Sequence, residues 1–134
     1  EDCKFALTET TLGIYPAQIA PFVAQRIGLA KARRIMLTAA RFTGKEAFEM
    51  GLADFIAKDA NDLKNIESDI IKGVMNCAPG ANAITKEIVL ATRHLERSEM
   101  IDFAAKGFAE RMLSDEGREG IASFIEKRKP KWSK

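Results

Sequence analysis

The sequence predicts a mostly α chain with two short strands. Three observations carry that prediction. Apolar residues recur at spacings of three and four through most of the 134 residues. Hydroxyl, acidic or proline residues stand at the starts of those periodic runs, and glycines stand past several of their ends. β-favouring runs are confined to residues 5–8 and 52–57. With 46% apolar residues the chain can bury a core and is not of disordered composition.

The elements follow in order. The first strand, residues 5–8, has no earlier strand to pair with, and a lone strand cannot satisfy its own backbone groups. The chain also opens on Glu1-Asp2-Cys3, so the expectation is that it is the later part of something longer. Gly13 and Pro16 break the strand run. Pro16 suits a first helical position and Gly28 a position just past a helix end, with Ile19, Phe22, Val23 and Ile27 on one face between them. A second helix over 29–40 turns Ala32, Ile35 and Met36 inward and Lys31, Arg33 and Arg34 outward. Thr43-Gly44-Lys45-Glu46 fits a capping box for a short helix that stops at Gly51. The second strand is expected at 52–57.

The rest is helical. Leu63, Ile66, Ile70, Val74 and Cys77 form one stripe, and Ala78-Pro79-Gly80 breaks it. Pro79 begins the next helix, whose inward positions are Ile84, Ile88, Ala91 and Leu95. Ser98 with Glu99 reads as an N-cap and first-turn acid ahead of Met100, Phe103, Ala104, Phe108 and Met112. Ser114-Asp115-Glu116 starts a last helix carrying Ile121, Phe124 and Ile125. That makes about seven helices, with no internal repeat and no low-complexity linker.

Charge and composition exclude several function classes. The chain carries 21 basic and 19 acidic residues for a net +2, interspersed except at the end, which makes no field for a nucleic acid or a membrane surface. Trp132 and Tyr15 are single, so no stacking platform for nucleic acid is visible. No apolar run approaches the roughly 18–20 residues of a membrane span, and no leader pattern is seen, which gives a cytoplasmic reading. Cys3 and Cys77 lack metal-ligand spacing and read as reduced thiols. No metal or cofactor motif is present, and His94, the one histidine, reads as an ordinary helix residue or a lone titratable group. The terminal run EKRKPKWSK has five basic residues in nine, which fits a solvated tail or a phosphate contact.

Glu9 is the candidate acid. It follows an apolar strand and precedes a loop and a helix start, where a rigid frame commonly presents functional groups. A partly desolvated carboxylate there is a usable proton donor near neutral pH, and its other reading is a solvated strand end or a helix-capping acid.

Four blocks taken together, FALTETTLGIYPAQIAPFVAQRIG, ARRIMLTAARFTGKEAFEMGLAD, APGANAITKEIV and SDEGREGIASFIEKRKPKW, resemble the C-terminal half of the crotonase family of enoyl-CoA hydratases and isomerases, in order and over nearly the entire chain. The resemblance implies the C-terminal part of an α/β spiral fold of the ClpP/crotonase type: residues 1–60 would end the spiral core and residues 61–134 would form a helical trimerisation region. It implies an acyl-CoA substrate, a homo-oligomer (trimer or hexamer), no separate cofactor, and neither nucleic-acid nor membrane partners. In the family a P-E-x-x-x-G segment carries a proton-transferring glutamate. Thr8-Glu9-Thr10-Thr11-Leu12-Gly13 is similar to it with Thr8 in the proline position, which implies that Glu9 delivers a proton to the α-carbon. Ala17 falls where many members have a glycine whose N–H helps hold the reacting water, and a backbone donor survives that change. Phe124 and Lys127 fall where the family places a phenylalanine and a lysine near the adenine and phosphates of coenzyme A, although Phe124, three after Ile121, also fits a core position. The family's first oxyanion-donor segment and its glycine-rich segment with a second glutamate have no match in these residues, so the chain alone is expected to be nearly inert. Hydratase and double-bond isomerase both stay open, as does a non-catalytic helical oligomerisation module.

Overall fold

The structure, a computed structural model, describes residues 1–133. In chain order it contains β1 (Lys4–Ala6), a 3-10 turn (Glu9–Leu12), α1 (Ala20–Ile27), α2 (Leu29–Leu37), β2 (Arg41–Thr43), α3 (Gly44–Met50), α4 (Ala60–Met75), α5 (Pro79–Ala91), α6 (Arg97–Leu113) and α7 (Asp115–Ile125). The chain divides into two compact units, Glu1–Glu67 and the residues from Ser68 onward.

The first unit is built around a two-stranded antiparallel sheet. Lys4 stands opposite Thr43, Phe5 opposite Phe42 and Ala6 opposite Arg41. The Phe5 and Phe42 rings stack at 5.5 Å with planes 7° apart, the cross-strand aromatic contact that stabilises such a short ladder. Leu7, Val23, Ile27, Ala32, Ile35, Phe42 and Ala47 form the core beneath it. Each fully buried side chain the size of Val, Ile or Phe contributes about 1.5–3 kcal/mol, so a handful of them holds two helices and a strand pair together. The capping box at α3 forms as the spacing predicts: the Glu46 N–H donates to Thr43 Oγ1 at 3.3 Å, and the Thr43 N–H donates to Glu46 Oε2 at 2.7 Å.

Three expectations are corrected here. First, residues 52–57 form no strand. The Leu52 and Ala53 N–H groups both turn back onto Ala47 O, at 2.8 and 3.2 Å, so the segment wraps the end of α3. The second strand is instead Arg41–Thr43, where Phe42 finds its partner on β1. Second, α1 begins at Ala20, with Pro21 at its start, rather than at Pro16. Pro21 has no N–H to donate to Ala17 O, so the helical ladder cannot extend continuously across it. Third, α2 ends at Leu37, and Ala39, with φ +49°, turns the chain into β2.

The second unit packs α5 against α6 and α6 against α7. On α5 the expected face is turned inward as far as the helix runs: Ala91 is buried and Ile84 and Ile88 are half-buried, whereas Leu95, half-buried too, lies four residues beyond the end of α5. The N-cap of α6 is Glu96, not Ser98. Glu96 forms a capping box with Glu99, whose carboxylate accepts the Glu96 N–H at 3.0 Å and thereby starts the helix two residues early. Ser114 caps α7 as predicted, accepting the Gly117 N–H at 3.1 Å. The stripes predicted on α4 and α6 are largely uncovered. Leu63, Ile70, Val74, Phe108 and Met112 are exposed, Cys77 lies beyond the end of α4, and only Ile66, Met100, Phe103 and Ala104 are half-buried. The periodicity is real, but in this chain those faces lack a covering layer.

Candidate active site

Glu9 opens the 3-10 turn that follows β1, so the strand delivers the carboxylate into a short rigid loop. The turn is fixed at both ends. The Thr11 N–H donates to Thr8 O at 3.0 Å and the Thr11 hydroxyl to the same oxygen at 2.7 Å. Gly13 closes the turn with φ +74°, a conformation glycine adopts at no steric cost, and the Ile14 N–H reaches Glu9 O at 3.3 Å. Leu7 anchors the strand side in the core, and Thr10 Oγ1 donates to Met36 O at 3.1 Å, tying the turn to α2.

Glu9 itself is half-buried, and its Oε2 is shielded from solvent and accepts no hydrogen bond from the described residues. Buried polar atoms are nearly always paired, so an unpaired carboxylate oxygen held on a rigid turn calls for a reason. Ala17 lies in the same unit, eight residues on. It is exposed, and its N–H donates to Tyr15 O at 2.8 Å, closing a tight turn ahead of α1. In this conformation that N–H is engaged within the loop. Beside the turn, an apolar hollow of about 270 Å³ is lined by Thr10, Tyr15, Pro16, Leu29 and Met36 among others, and Glu9 is not part of its wall.

Phe124 and Lys127 belong to the second unit. Phe124 is 85% exposed, so it takes no part in a core within this chain. Lys127 is exposed just past α7 and has φ +53°, a left-handed conformation that L side chains rarely adopt. Its N–H donates to Phe124 O at 3.3 Å, and the Arg128 N–H donates to Ser123 O at 3.0 Å. This pair of bonds is the Schellman helix ending, with lysine where glycine is usual.

Over its described residues, 126–133, the basic terminus, expected to be a solvated tail or a phosphate contact, is not a free tail; Lys134 lies outside the described residues. Glu119 grips Arg128 through Oε1 to Nη1 at 2.6 Å and Oε2 to Nη2 at 3.2 Å, and also accepts the Lys131 N–H at 3.0 Å. The Arg128 bonds hold the Glu119 carboxyl well down, from its ordinary 4.5 to about 2, and the same pairing raises the guanidinium further above its already high value. Trp132 Nε1 donates to Asn76 O at 3.3 Å, and Ser133 Oγ bonds Asn76 Oδ1 at 2.9 Å. Sequence reading missed this clasp because Glu119 and Arg128 stand nine apart, a spacing no helix face brings together; the turn after α7 does so. It missed Glu116 for a similar reason. That carboxylate accepts the Gly80 N–H at 3.1 and 2.9 Å, capping α5 from α7.

His94 is exposed on the turn after α5 and enters no side-chain hydrogen bond among the described residues. Both cysteines are free and exposed. Among the described residues no helix is long and apolar enough to cross a membrane, and no cluster of three or more His, Cys, Asp or Glu side chains could hold a metal ion.

Comparison with known proteins supplies the family. The enoyl-CoA hydratase/isomerase family model matches residues 1–134. The chain is 30% identical to the peroxisomal Delta(3,5)-Delta(2,4)-dienoyl-CoA isomerase of Arabidopsis thaliana over 100% of this chain and 49% of that protein. It is likewise 30% identical to a probable enoyl-CoA hydratase of Bacillus subtilis (strain 168), over 98% of this chain and 52% of the relative. Among solved structures, Pseudomonas aeruginosa AtuE superposes with a TM-score of 0.96 at 49% identity, covering 99% of this chain and 52% of that one. An enoyl-CoA hydratase/isomerase from Marinobacter aquaeolei gives 0.94 at 40% identity, covering 98% and 50%. The chain thus spans about half the length of the relatives it matches, and it belongs to the enoyl-CoA hydratase/isomerase family.

Proposed function

We propose that this chain supplies one half of an active site acting on acyl-CoA thioesters, with Glu9 as its proton carrier. The observation that carries the reading is Glu9 Oε2, shielded from solvent and unpaired on a turn braced at both ends. In hydration, water adds across the α,β double bond: its oxygen bonds to the β-carbon, its proton leaves to a base, and the Glu9 carboxyl gives a proton to the α-carbon. The reverse reaction returns that proton to Glu9. Negative charge that builds on the thioester oxygen is met in the family by two backbone N–H groups, and neither the first oxyanion-donor segment nor the glycine-rich segment has a match in these residues. Ala17 in this reading helps hold the water, which requires its N–H to leave or share the bond to Tyr15 O. Phe124 and Lys127 contact the adenine and phosphates of coenzyme A, and their exposure leaves both side chains open to a ligand.

The experiment pairs this chain with the first half of Pseudomonas aeruginosa AtuE, the 49% identical structure, and follows hydration of crotonyl-CoA. The pair is expected to turn over substrate, the chain alone to show almost none, and Glu9→Gln to lower the rate by about 10²–10⁴-fold, the span of a lost general acid. Unchanged turnover by the Gln variant, or family-like turnover by the chain alone, overturns the reading. A double-bond isomerase is the second reading. It needs only one acid-base carboxylate, so turnover of a 3-enoyl thioester without hydration of the 2-enoyl one favours it.

The uncovered apolar faces favour an assembly role beside the catalytic one. Phe108, Met112, Leu113 and Ile125 are 43–72% exposed in a unit where Ala91 and Ser123 alone are buried among the described residues. Exposed faces of this kind mark association surfaces, and we read residues 61–134 as the region through which trimers or hexamers form. Light scattering that finds only monomer counts against it.

A further inference from the structure

Lys127 holds a strained backbone conformation, and its surroundings enforce it. Placing a non-glycine residue at φ +53° is costly for an L side chain, and such residues persist only where neighbouring structure over-determines them. Here both flanks are tied. Arg128 Nε donates to Glu126 Oε2 at 2.6 Å, a side-chain bridge that joins the two chain neighbours of Lys127. The same guanidinium is forked onto Glu119, whose side chain is only 13% exposed and which also holds the Lys131 N–H. Trp132 then lies over Gly120, where a Cβ would approach its ring to 3.3 Å, and Trp132 and Ser133 are bound to Asn76. Of the cations in this run, Arg128 and Lys131 are paired with Glu119, whereas Lys127 enters no ion pair among the described residues. The clasp therefore neutralises Arg128 and Lys131 and leaves the Lys127 and Lys129 ammoniums without an ion pair among the described residues, Lys127 alone of the two at a left-handed backbone position.

We propose that Glu119 is a positioning residue: by gripping Arg128 and the Lys131 N–H it keeps Lys127 left-handed and aims its ammonium at the phosphates of a coenzyme A ligand. This rests on the coenzyme A reading of that surface. Glu119 touches no ligand, and Lys127 is retained at a glycine position because glycine there would satisfy the helix end and lose the cation.

The test is calorimetric titration of the 134-residue chain with coenzyme A at low ionic strength. Glu119→Gln is expected to weaken binding about threefold and Lys127→Gly about fivefold, the range of an exposed ion pair. Lys127→Arg retains affinity. Lys127→Gly leaves the thermal midpoint unchanged or higher, since it relieves the backbone. In the Lys127→Gly background, Glu119→Gln has no further effect on affinity, whereas a merely structural glutamate would weaken both backgrounds equally. Should Glu119→Gln fail to fold by circular dichroism, Arg128→Lys, which keeps the charge and removes the fork, takes its place. Binding by the wild-type chain that Glu119→Gln or Arg128→Lys does not alter overturns the positioning role and leaves the coenzyme A reading standing. No binding by the wild-type chain overturns both, and so does wild-type affinity in Lys127→Gly.

Discussion

Gly117→Ala should destabilise the chain even though a helical glycine is ordinarily improved by that change. Ser114 is at once the C-cap of α6 and the N-cap of α7, so the first turn of α7 lies directly against the last turn of α6. A Cβ on Gly117 would stand 3.0 Å from Met112 O and 3.1 Å from the Arg111 carbonyl carbon, and closer still to Arg111 O. These are backbone atoms of α6 and cannot swing away as a side chain does. Alanine normally gains about 1 kcal/mol over glycine inside a helix. Forcing a methyl into packed backbone costs about 1–3 kcal/mol or more. The balance is a net loss of up to about 2 kcal/mol, a fall in midpoint of up to roughly 10 °C for a chain of this length. Gly73→Ala is the control. Nothing lies within 4 Å of a Cβ there, in the last turns of α4, so the same substitution should stabilise by a few tenths to about 1 kcal/mol. Thermal unfolding followed by far-ultraviolet circular dichroism compares the two. Equal rises for both variants would refute the close approach of α6 and α7, and with it the placement of α7 that carries Phe124 and Lys127.

Two further outcomes follow from the hydrogen bonds. Thr43→Ala removes the acceptor for the Glu46 N–H and should cost about 1 kcal/mol, read as a lower urea midpoint with unchanged slope. Glu119 has its folded pKa depressed from 4.5 to about 2, chiefly by Arg128, so the stability it contributes is complete above pH 4.5 and is lost as pH falls toward 2. Its side-chain carboxyl resonance should therefore titrate near pH 2 by nuclear magnetic resonance, and Arg128→Gln should move that midpoint up toward 4.5; a wild-type midpoint already at 4.5 would show that the clasp does not form.

Local patterns foretold what local interactions build. The capping box at Thr43–Glu46, the Ser114 cap, the proline start of α5 and its Ile84, Ile88 and Ala91 face all depend on residues within a turn or two of one another, and all are found. Glu9 could be singled out because strand, acid and glycine follow one another within nine residues, and the family resemblance rests on blocks of the same local kind. Pairings between distant residues stayed hidden. Residues 52–57 look more strand-like than 41–43, but a strand exists only where a ladder partner stands beside it, and Phe42 meets Phe5 across 36 intervening residues. The apolar stripes of α4 and α6 announce helices correctly yet do not say what covers them, because periodicity records which face is apolar and not what lies against it. The clasp of Glu119 on Arg128, the reach of Trp132 to Asn76 and the unpaired Oε2 of Glu9 are products of chain folding that bring remote groups together or leave one without a partner. Charge and spacing name the groups; their partners, and the strain at Lys127, arise only once the chain has closed on itself.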